Sequence, residues 1–203
     1  MKRNIRFAGA GGQGVILSSV LLAKAYALGA DYNVSQTQSY GPEARGGACK
    51  AELIVSDNEI GFIKFDNADI FVAFNQVGYD KYYTNVKEDA YYLINSTLVE
   101  SDKENCYEVP ATKIAEEMGM SRSINIVMLG ALTRLLDDLS YDLVEDEIID
   151  SFDVKFKQFN VEAFERGYDY MDDYLELTEE EMKEKYIDLS YQSSTLGKFE
   201  NDM

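Results

Sequence analysis

The segment Gly9-Ala10-Gly11-Gly12-Gln13-Gly14-Val15 decides the expected fold, because it joins two contrasting stretches of the chain. The run Ile5–Ala8 before it is strand-like, and the long apolar stretch from Val15 to Leu28 has helical character. Gly29 is predicted to end that helix at the C′ position. A strand, a glycine turn and a helix in this order direct backbone N–H groups and a positive helix end toward an anion.

Strand and helix patterns alternate along the following part of the chain, and helices alone follow. The predicted strands are Tyr32–Ser35, Ala48–Ser56, Ala68–Asn75, Ala90–Asn95 and Cys106–Val109. The predicted helices are Gln76–Tyr83, Ala111–Met118, Ile124–Leu139, Val144–Phe156 and Asn160–Leu175. This order predicts a Rossmann-like α/β domain over residues 1–175, with three layers, a mostly parallel sheet and a helical C-terminal part. Residues 176–203 are predicted to be an acidic helical or disordered tail.

The composition restricts the partners of the chain. The apolar fraction of 46 % is ordinary for a globular protein, but the formal net charge is −18. Such a surface repels nucleic acid and anionic membranes. No apolar run approaches the roughly 20 residues of a membrane span, and no targeting signal is evident, so we expect a cytoplasmic protein.

The residue types needed for independent chemistry are scarce. The chain has no histidine, which removes histidine catalysis and the usual zinc and haem ligands. Its two cysteines, Cys49 and Cys106, are too far apart in sequence to form a metal or cluster motif by themselves. We therefore predict no catalytic residue and no metal site, and expect two buried thiols in a reducing compartment.

The glycine turn alone leaves several ligands open. Gly9, Gly11 and Gly14 have the spacing of the dinucleotide fingerprint, but the predicted second strand does not end in the acid that binds the ribose. A nucleotide, coenzyme A, a diphosphate and a purely structural turn all remain compatible with it. A stand-alone nucleotide-binding oxidoreductase is therefore one candidate function.

A second segment, residues 36–47, is predicted to be a loop at the same carboxyl edge of the sheet as the glycine turn. It carries Arg45 next to glycines, which suits a phosphate or a carboxylate. An internal ion pair between Arg45 and Glu43 is the structural alternative, and the residues alone do not choose between the two.

Together the two segments resemble a known family. The motif from Gly9 to Val15, followed by Gln38-Ser39-Tyr40-Gly41-Pro42-Glu43-Ala44-Arg45-Gly46-Gly47, is similar to the gamma subunit of the 2-oxoacid:ferredoxin oxidoreductases. The segments 56–60, 125–131 and 160–167 agree with this resemblance, which extends from residue 4 to about 170. The form of the second segment is most like that of the 2-oxoglutarate and branched-chain members.

The resemblance implies one subunit of an enzyme that converts a 2-oxoacid and coenzyme A to acyl-CoA and reduces ferredoxin. Thiamine diphosphate, magnesium and iron–sulfur clusters are then expected in partner subunits, namely alpha, beta and a ferredoxin-like delta subunit. The isolated chain would be inactive, and its exposed partner-binding face could pair two copies in a homodimer. A purely structural assembly subunit is the remaining alternative.

Within that resemblance, the two segments are expected to bind an anionic group such as the phosphates of coenzyme A. The glycine turn would supply backbone N–H groups and the Gln13 amide, and the second segment would shape the entrance. The candidate binding residues are Gly9, Gly11, Gly12, Gln13, Gly14, Ser39, Tyr40, Glu43, Arg45 and Gly46.

Overall fold

A computed structural model of the chain describes residues 1–40 and 47–177, and it contains a six-stranded sheet with the strand order β2-β3-β1-β4-β5-β6. The strands are β1 (Lys2–Ala10), β2 (Asn33–Tyr40), β3 (Ala48–Ser56), β4 (Ala68–Ala73), β5 (Val86–Asn95) and β6 (Cys106–Val109). The helices are α1 (Val15–Lys24), α2 (Gln76–Tyr82), α3 (Ala111–Glu117), α4 (Ile124–Leu135), α5 (Tyr141–Ser151) and α6 (Val154–Glu176). The predicted tail lies outside the described residues from position 178 onward.

The sheet is mostly parallel, which confirms the predicted fold class. The pairs β1–β4, β4–β5 and β5–β6 are parallel. Strand β3 is antiparallel to both of its neighbours, β1 and β2, so β2 runs in the same direction as β1. Five strands therefore share one direction, and their carboxyl ends lie along one edge of the sheet.

Side chains alternate between the two faces of the sheet, as the pleat requires. On one face, Ile5 and Phe7 of β1 join a large core with residues of the C-terminal helices, among them Ile126 and Phe164. The opposite face is covered by α2, and there Phe71, Tyr79 and Tyr92 form a smaller core. None of the helices in the described ranges combines the length and apolar character needed to cross a membrane.

Helices α4 and α6 cross with their backbones in contact. A Cβ atom on Gly130 would collide with the carbonyl oxygen of Phe164, and one on Gly167 would collide with that of Val127. Glycine at both positions lets the two backbones approach without side chains between them. The crossing fixes the position of α4 relative to the rest of the C-terminal part.

The predicted role of Gly29 as a left-handed helix cap is wrong, and several predicted boundaries differ from the observed ones. Helix α1 continues into a π-helical turn, Ala25–Gly29, and Gly29 is not among the glycines with positive φ. It is instead packed against Leu143, where a Cβ atom would lie 2.5 Å from a methyl group. Helix α4 ends at Leu135 because Leu136 is extended, and α5 begins earlier than predicted, at Tyr141.

The second strand differs most from its prediction. Strand β2 continues through the polar run Gln36–Ser39 to Tyr40, so the loop that follows it begins later than expected. Its side chains are half-buried or exposed, because β2 lies at the edge of the sheet. Polar residues are common on such an edge, where they discourage pairing with another chain.

Candidate functional site

The glycine turn lies between the end of β1 and the start of α1, as predicted. Gly12 and Gly14 have φ values of 95° and 76°, in the left-handed region that glycine adopts without steric cost. The Gln13 N–H donates to the Ala10 oxygen at 3.2 Å, and the Ala10 N–H donates to Gln13 Oε1 at 2.8 Å. The Gln13 side-chain oxygen therefore holds the turn together, which leaves its Nε2 group as the part of the amide that can meet an anion.

The base and the tip of the turn differ in packing. At the base, a Cβ atom on Gly9 would lie 2.8 Å from Val15 Cγ2 and 2.9 Å from Phe74 Cβ. At the tip, Gly11 and Gly12 are exposed, and a Cβ atom there would have no neighbour within 4 Å among the described residues. The base of the turn at Gly9 is therefore tightly packed, whereas its tip at Gly11 and Gly12 is accessible to a ligand.

The second segment reaches the same edge of the sheet. Cys49 of β3 is opposite both Gly9 of β1 and Tyr40 of β2, so the ends of these strands form one row. The Gly11 N–H donates to the Gly47 oxygen at 3.4 Å, which joins the glycine turn to the last residue of the second loop. The predicted proximity of the two segments is confirmed, although an antiparallel hairpin produces it.

The candidate residues of the second segment are only partly described. Ser39 and Tyr40 lie at the end of β2 and are exposed at the carboxyl edge. Glu43, Arg45 and Gly46 lie outside the described residues, so their assignment to the site stays a prediction.

Asn125 lies at this site, although the sequence reasoning gave it no role there. It is in the first turn of α4, and a Cβ atom on Gly14 would lie 2.5 Å from its Cγ. Ser18 of α1 bridges the two helices, since its hydroxyl donates to the backbone carbonyl oxygen of Asn125 at 3.1 Å. The starts of α1 and α4 therefore meet at Gly14. The available signal was a lone asparagine in the apolar segment Ile124–Leu129, a position where a polar side chain needs a reason.

The hydrogen bonds of Asn125 are incomplete. It is 4 % exposed, and its Nδ2 group has no hydrogen-bond partner among the described residues. Leaving a buried donor without a partner costs about 1–3 kcal/mol. By contrast, the buried Asn95 on the same edge donates to the Phe74 oxygen at 3.2 Å and to Thr112 Oγ1 at 2.9 Å.

Exposed apolar side chains follow the carboxyl ends of three strands, β1, β4 and β5. Leu17 of α1, Val77 of α2 and Leu98 after β5 all lie near the carboxyl edge and are exposed. The α2 side of this edge is joined to the segment after β5, because Gln76 Oε1 accepts from the Glu100 N–H at 2.8 Å. The edge thus combines backbone donors with apolar surface, as binding surfaces commonly do.

The thiol of Cys49 lies at this edge and is buried. Cys49 is 2 % exposed, and burial raises the pKa of its thiol, so it stays protonated at neutral pH. Within the described ranges, no three Cys, Asp or Glu side chains approach one another as a metal site would require. The second thiol, Cys106, lies on β6, and β1, β4 and β5 separate its strand from that of Cys49.

Comparison with known proteins places the chain in a class of enzyme subunits. Residues 4–170 match the model of the pyruvate ferredoxin/flavodoxin oxidoreductase family, and the chain belongs to that family. It is 45 % identical to the 2-oxoglutarate synthase subunit KorC of Methanocaldococcus jannaschii, over 83 % of this chain and 94 % of that one. It is 34 % identical to the ketoisovalerate oxidoreductase subunit VorA of Methanothermobacter marburgensis, where the match covers 82 % of this chain and 36 % of the relative.

Solved structures agree with the sequence comparison. The keto/oxoacid ferredoxin oxidoreductase gamma subunit of Geobacter sulfurreducens superposes with a TM-score of 0.72 at 34 % identity, covering 83 % of this chain and 98 % of that one. The 2-oxoglutarate:ferredoxin oxidoreductase of Magnetococcus marinus gives a TM-score of 0.77 at 27 % identity, covering 87 % of this chain and 32 % of that one. These matches confirm the predicted resemblance to the gamma subunit of the 2-oxoacid:ferredoxin oxidoreductases and the predicted class of enzyme.

Proposed function

We propose that the chain serves as the gamma subunit of a cytoplasmic 2-oxoacid:ferredoxin oxidoreductase whose substrate is 2-oxoglutarate. The observation that carries this proposal is the 45 % identity to a 2-oxoglutarate synthase subunit over nearly the whole of that relative. The relative named for ketoisovalerate is less similar, at 34 %. The reaction would convert 2-oxoglutarate and coenzyme A to succinyl-CoA and carbon dioxide, with two electrons passing to ferredoxin.

The cofactors of this reaction belong to partner subunits in our proposal. Thiamine enzymes bind the diphosphate and magnesium through a Gly-Asp-Gly motif, and no Gly-Asp pair occurs in this sequence. An iron–sulfur cluster needs a set of neighbouring cysteines, and Cys49 and Cys106 lie on well-separated strands. Alpha, beta and ferredoxin-like delta subunits would supply these groups, and the gamma subunit would bind and orient a substrate.

That substrate is coenzyme A in our proposal, with its phosphates at the glycine turn. None of the side chains in residues 1–40 and 47–177 caps the start of α1, and the turn before it is exposed at Gly11 and Gly12. Unpaired N–H groups and the helix dipole at such a terminus attract phosphate. Local donors matter in a chain with a net charge of −18, whose overall field repels the ligand. The solved relative from Magnetococcus marinus contains coenzyme A and succinyl-CoA.

Arg45→Ala in the reconstituted oxidoreductase tests this proposal. We expect KM for coenzyme A to rise about 10-fold or more, because a charge-assisted hydrogen bond to phosphate is lost. Arg166→Ala is the matched control, since Arg166 is exposed on α6 and pairs only at 3.5 Å with Glu162 of the same helix. An unchanged KM in Arg45→Ala would remove Arg45 from the site and favour a purely structural role for its segment.

The spacing of Gly9, Gly11 and Gly14 is the observation that favours a stand-alone nucleotide-binding oxidoreductase. The strand order argues against it, because β3 lies between β1 and β2 and separates the turn from the end of the second strand. A thermal-shift titration of the full chain with NAD(P)H and FAD distinguishes the two functions. Stabilisation by either dinucleotide, with none by partner subunits, would contradict the gamma-subunit proposal.

A further inference from the structure

The start of α4 brings to the glycine turn a hydrogen-bond donor from which no other described residue accepts. The Asn125 side chain is 96 % buried, as its exposed fraction of 4 % shows, and its Nδ2 group has no partner within the described residues. A Cβ atom on Gly14 would lie 2.7 Å from that Nδ2 atom, so the amide lies directly against the turn. Buried donors of this kind are rare unless a water molecule, an ion or a ligand accepts from them.

A purely structural role does not account for an asparagine at this position. Leucine has a similar size, would fill the same space and would leave no unpaired donor. The neighbouring α4 residues Ile126 and Leu129 are apolar and buried in the core, so an apolar residue at position 125 would agree with its surroundings. The amide is therefore best explained by an acceptor other than the described residues.

We propose that the Asn125 side-chain amide is a further ligand-binding donor of the glycine-turn site, where it donates to a phosphoryl oxygen. This inference rests on the proposed function of the turn as the site for the phosphates of coenzyme A. The amide adds a side-chain donor from α4 to the backbone donors at the start of α1. A phosphoryl group, with several acceptor oxygens, can accept from both at once.

The surroundings of Asn125 allow the amide to turn while its backbone stays in place. Ser18 Oγ donates to the backbone carbonyl oxygen of Asn125 at 3.1 Å and fixes the first turn of α4 against α1. Rotation about the Cβ–Cγ bond of asparagine has only weak preferences. The Nδ2 group, which lies against Gly14, can therefore turn toward an oxygen at the glycine turn without displacing either helix.

Two substitutions in the reconstituted oxidoreductase test the role of Asn125. Asn125→Leu removes the donor at similar volume, and we expect KM for coenzyme A to rise about 10-fold while kcat changes less than about twofold. Asn125→Asp keeps the shape and places a negative charge beside the phosphate, so the increase should be larger, about 100-fold. Inorganic pyrophosphate, used as a competitor of coenzyme A, should lose inhibition in parallel if the affected group is a phosphate.

Asn4→Leu is the matched control for these variants. Asn4 is 9 % exposed, its Oδ1 atom also has no partner among the described residues, and it lies near the opposite end of β1. Its substitution should leave KM for coenzyme A unchanged. A thermal melt of each full chain shows whether a change in KM follows from unfolding. Because Asn125→Asp keeps the side-chain shape, it separates the loss of the donor from a change in packing.

The outcomes distinguish this inference from the proposed function. If Arg45→Ala raises KM for coenzyme A but both Asn125 variants bind it as the wild type does, Asn125 has no ligand role and only the present inference fails. If no variant at Arg45 or Asn125 changes KM, coenzyme A does not bind at this edge, and the proposed site fails together with the inference. An increase in KM for the Asn125 variants alone supports the amide and removes only Arg45 from the site.

Discussion

At the amino edge of the sheet the donors of Arg3 and Tyr26 reach carboxylates, and the buried atoms without a partner there, Asn4 Oδ1 and Asp138 Oδ2, are acceptors. At the carboxyl edge a buried donor is left without a partner in the described part of the chain. On the first edge, Arg3 pairs with Asp138 and Asp137, and the Tyr26 hydroxyl donates to Asp138 at 2.9 Å. On the second edge, no described side chain caps the start of α1, and none accepts from Asn125 Nδ2. The two edges of the sheet thus differ in whether their hydrogen-bond donors have partners among the described residues.

The cluster of Arg3, Tyr26 and Asp138 connects three parts of the chain. Arg3 belongs to β1, Tyr26 to the π-helical turn after α1, and Asp138 to the segment between α4 and α5. Burial and the adjacent Asp138 carboxylate both raise the pKa of Tyr26, so its hydroxyl remains a donor throughout the physiological pH range. Even the unpaired oxygen of the cluster, Asp138 Oδ2, belongs to a carboxylate whose other oxygen serves both neighbours.

The difference between the edges indicates a division of labour. Groups that satisfy one another contribute to folding and have no remaining capacity for a ligand, whereas unsatisfied donors weaken the free protein and are available for binding. Substitutions at the amino edge should therefore change stability without changing ligand affinity. At the carboxyl edge the base of the turn should matter for folding and its tip for binding.

Gly14→Ala should have the largest effect on folding and tests whether the base of the turn is structural. The left-handed backbone costs alanine about 1–2 kcal/mol, and the new Cβ atom would lie 2.5 Å from Asn125 Cγ, which adds about 1–3 kcal/mol. We expect urea denaturation to show a loss of about 3 kcal/mol in the free energy of unfolding. Gly11→Ala is the control: its Cβ atom would have no neighbour within 4 Å among the described residues, and the loss should stay below about 0.5 kcal/mol. Equal losses in the two variants would contradict a clamped base and an open tip.

Asp138→Ala should have the next largest effect and would break the amino-edge cluster. It removes the acceptor shared by Arg3 and Tyr26, and the expected loss is about 2 kcal/mol in the free energy of unfolding. Asp137→Ala should cost less than about 0.5 kcal/mol, because the Asp137 side chain is 88 % exposed and its ion pair is screened by water. Both variants, assembled into the oxidoreductase, should keep the wild-type KM for coenzyme A. A shifted KM in Asp138→Ala would show that the two edges are coupled.

The last prediction concerns thiol reactivity and involves the smallest expected effect on folding. It compares Cys106 of β6 with Cys49, which lies at the carboxyl edge. Burial raises the pKa of the Cys106 thiol from 9.0 to about 11, so at pH 8 its thiolate fraction is about 100-fold below that of a free cysteine. In a Cys49→Ala chain, the rate of reaction with a disulfide reagent should therefore keep rising about tenfold per pH unit up to about pH 11. In a Cys106→Ala chain, Cys49 should react only after denaturation. A Cys106 rate that levels off near pH 9 would contradict the raised pKa.

Local patterns in the sequence were sufficient for most of the sheet. The apolar run of β4, the alternation of β3 and the short strand Cys106–Val109 before Pro110 each carry their own signal. The strand–turn–helix order around Gly9–Val15 likewise depends on residues that are adjacent in sequence. These features could be predicted because their physical causes are local.

The failures have causes that are distant in sequence. Gly29 looked like a helix cap, but it is glycine because Leu143 lies against it. The polar strand β2 looked like a loop, since only its position at the edge of the sheet makes its polarity acceptable. Asn125 became part of the site through its contact with Gly14 and the bond from Ser18, which is 107 residues away. A lone asparagine in an apolar segment marks position 125 as unusual, but no local pattern indicates what Gly29, β2 or Asn125 contacts.

The crossing of α4 and α6 has a consequence for anyone who would transplant the glycine turn into another scaffold. Its spacing is set by backbone atoms of Gly130 and Gly167, which have no rotamers through which the joint could readjust. The crossing therefore fixes the distance between the first turn of α4 and the sheet. A graft that copies residues 5–28 alone would reproduce the loop but lose the contact with α4 at this distance. A faithful transplant has to include both helices.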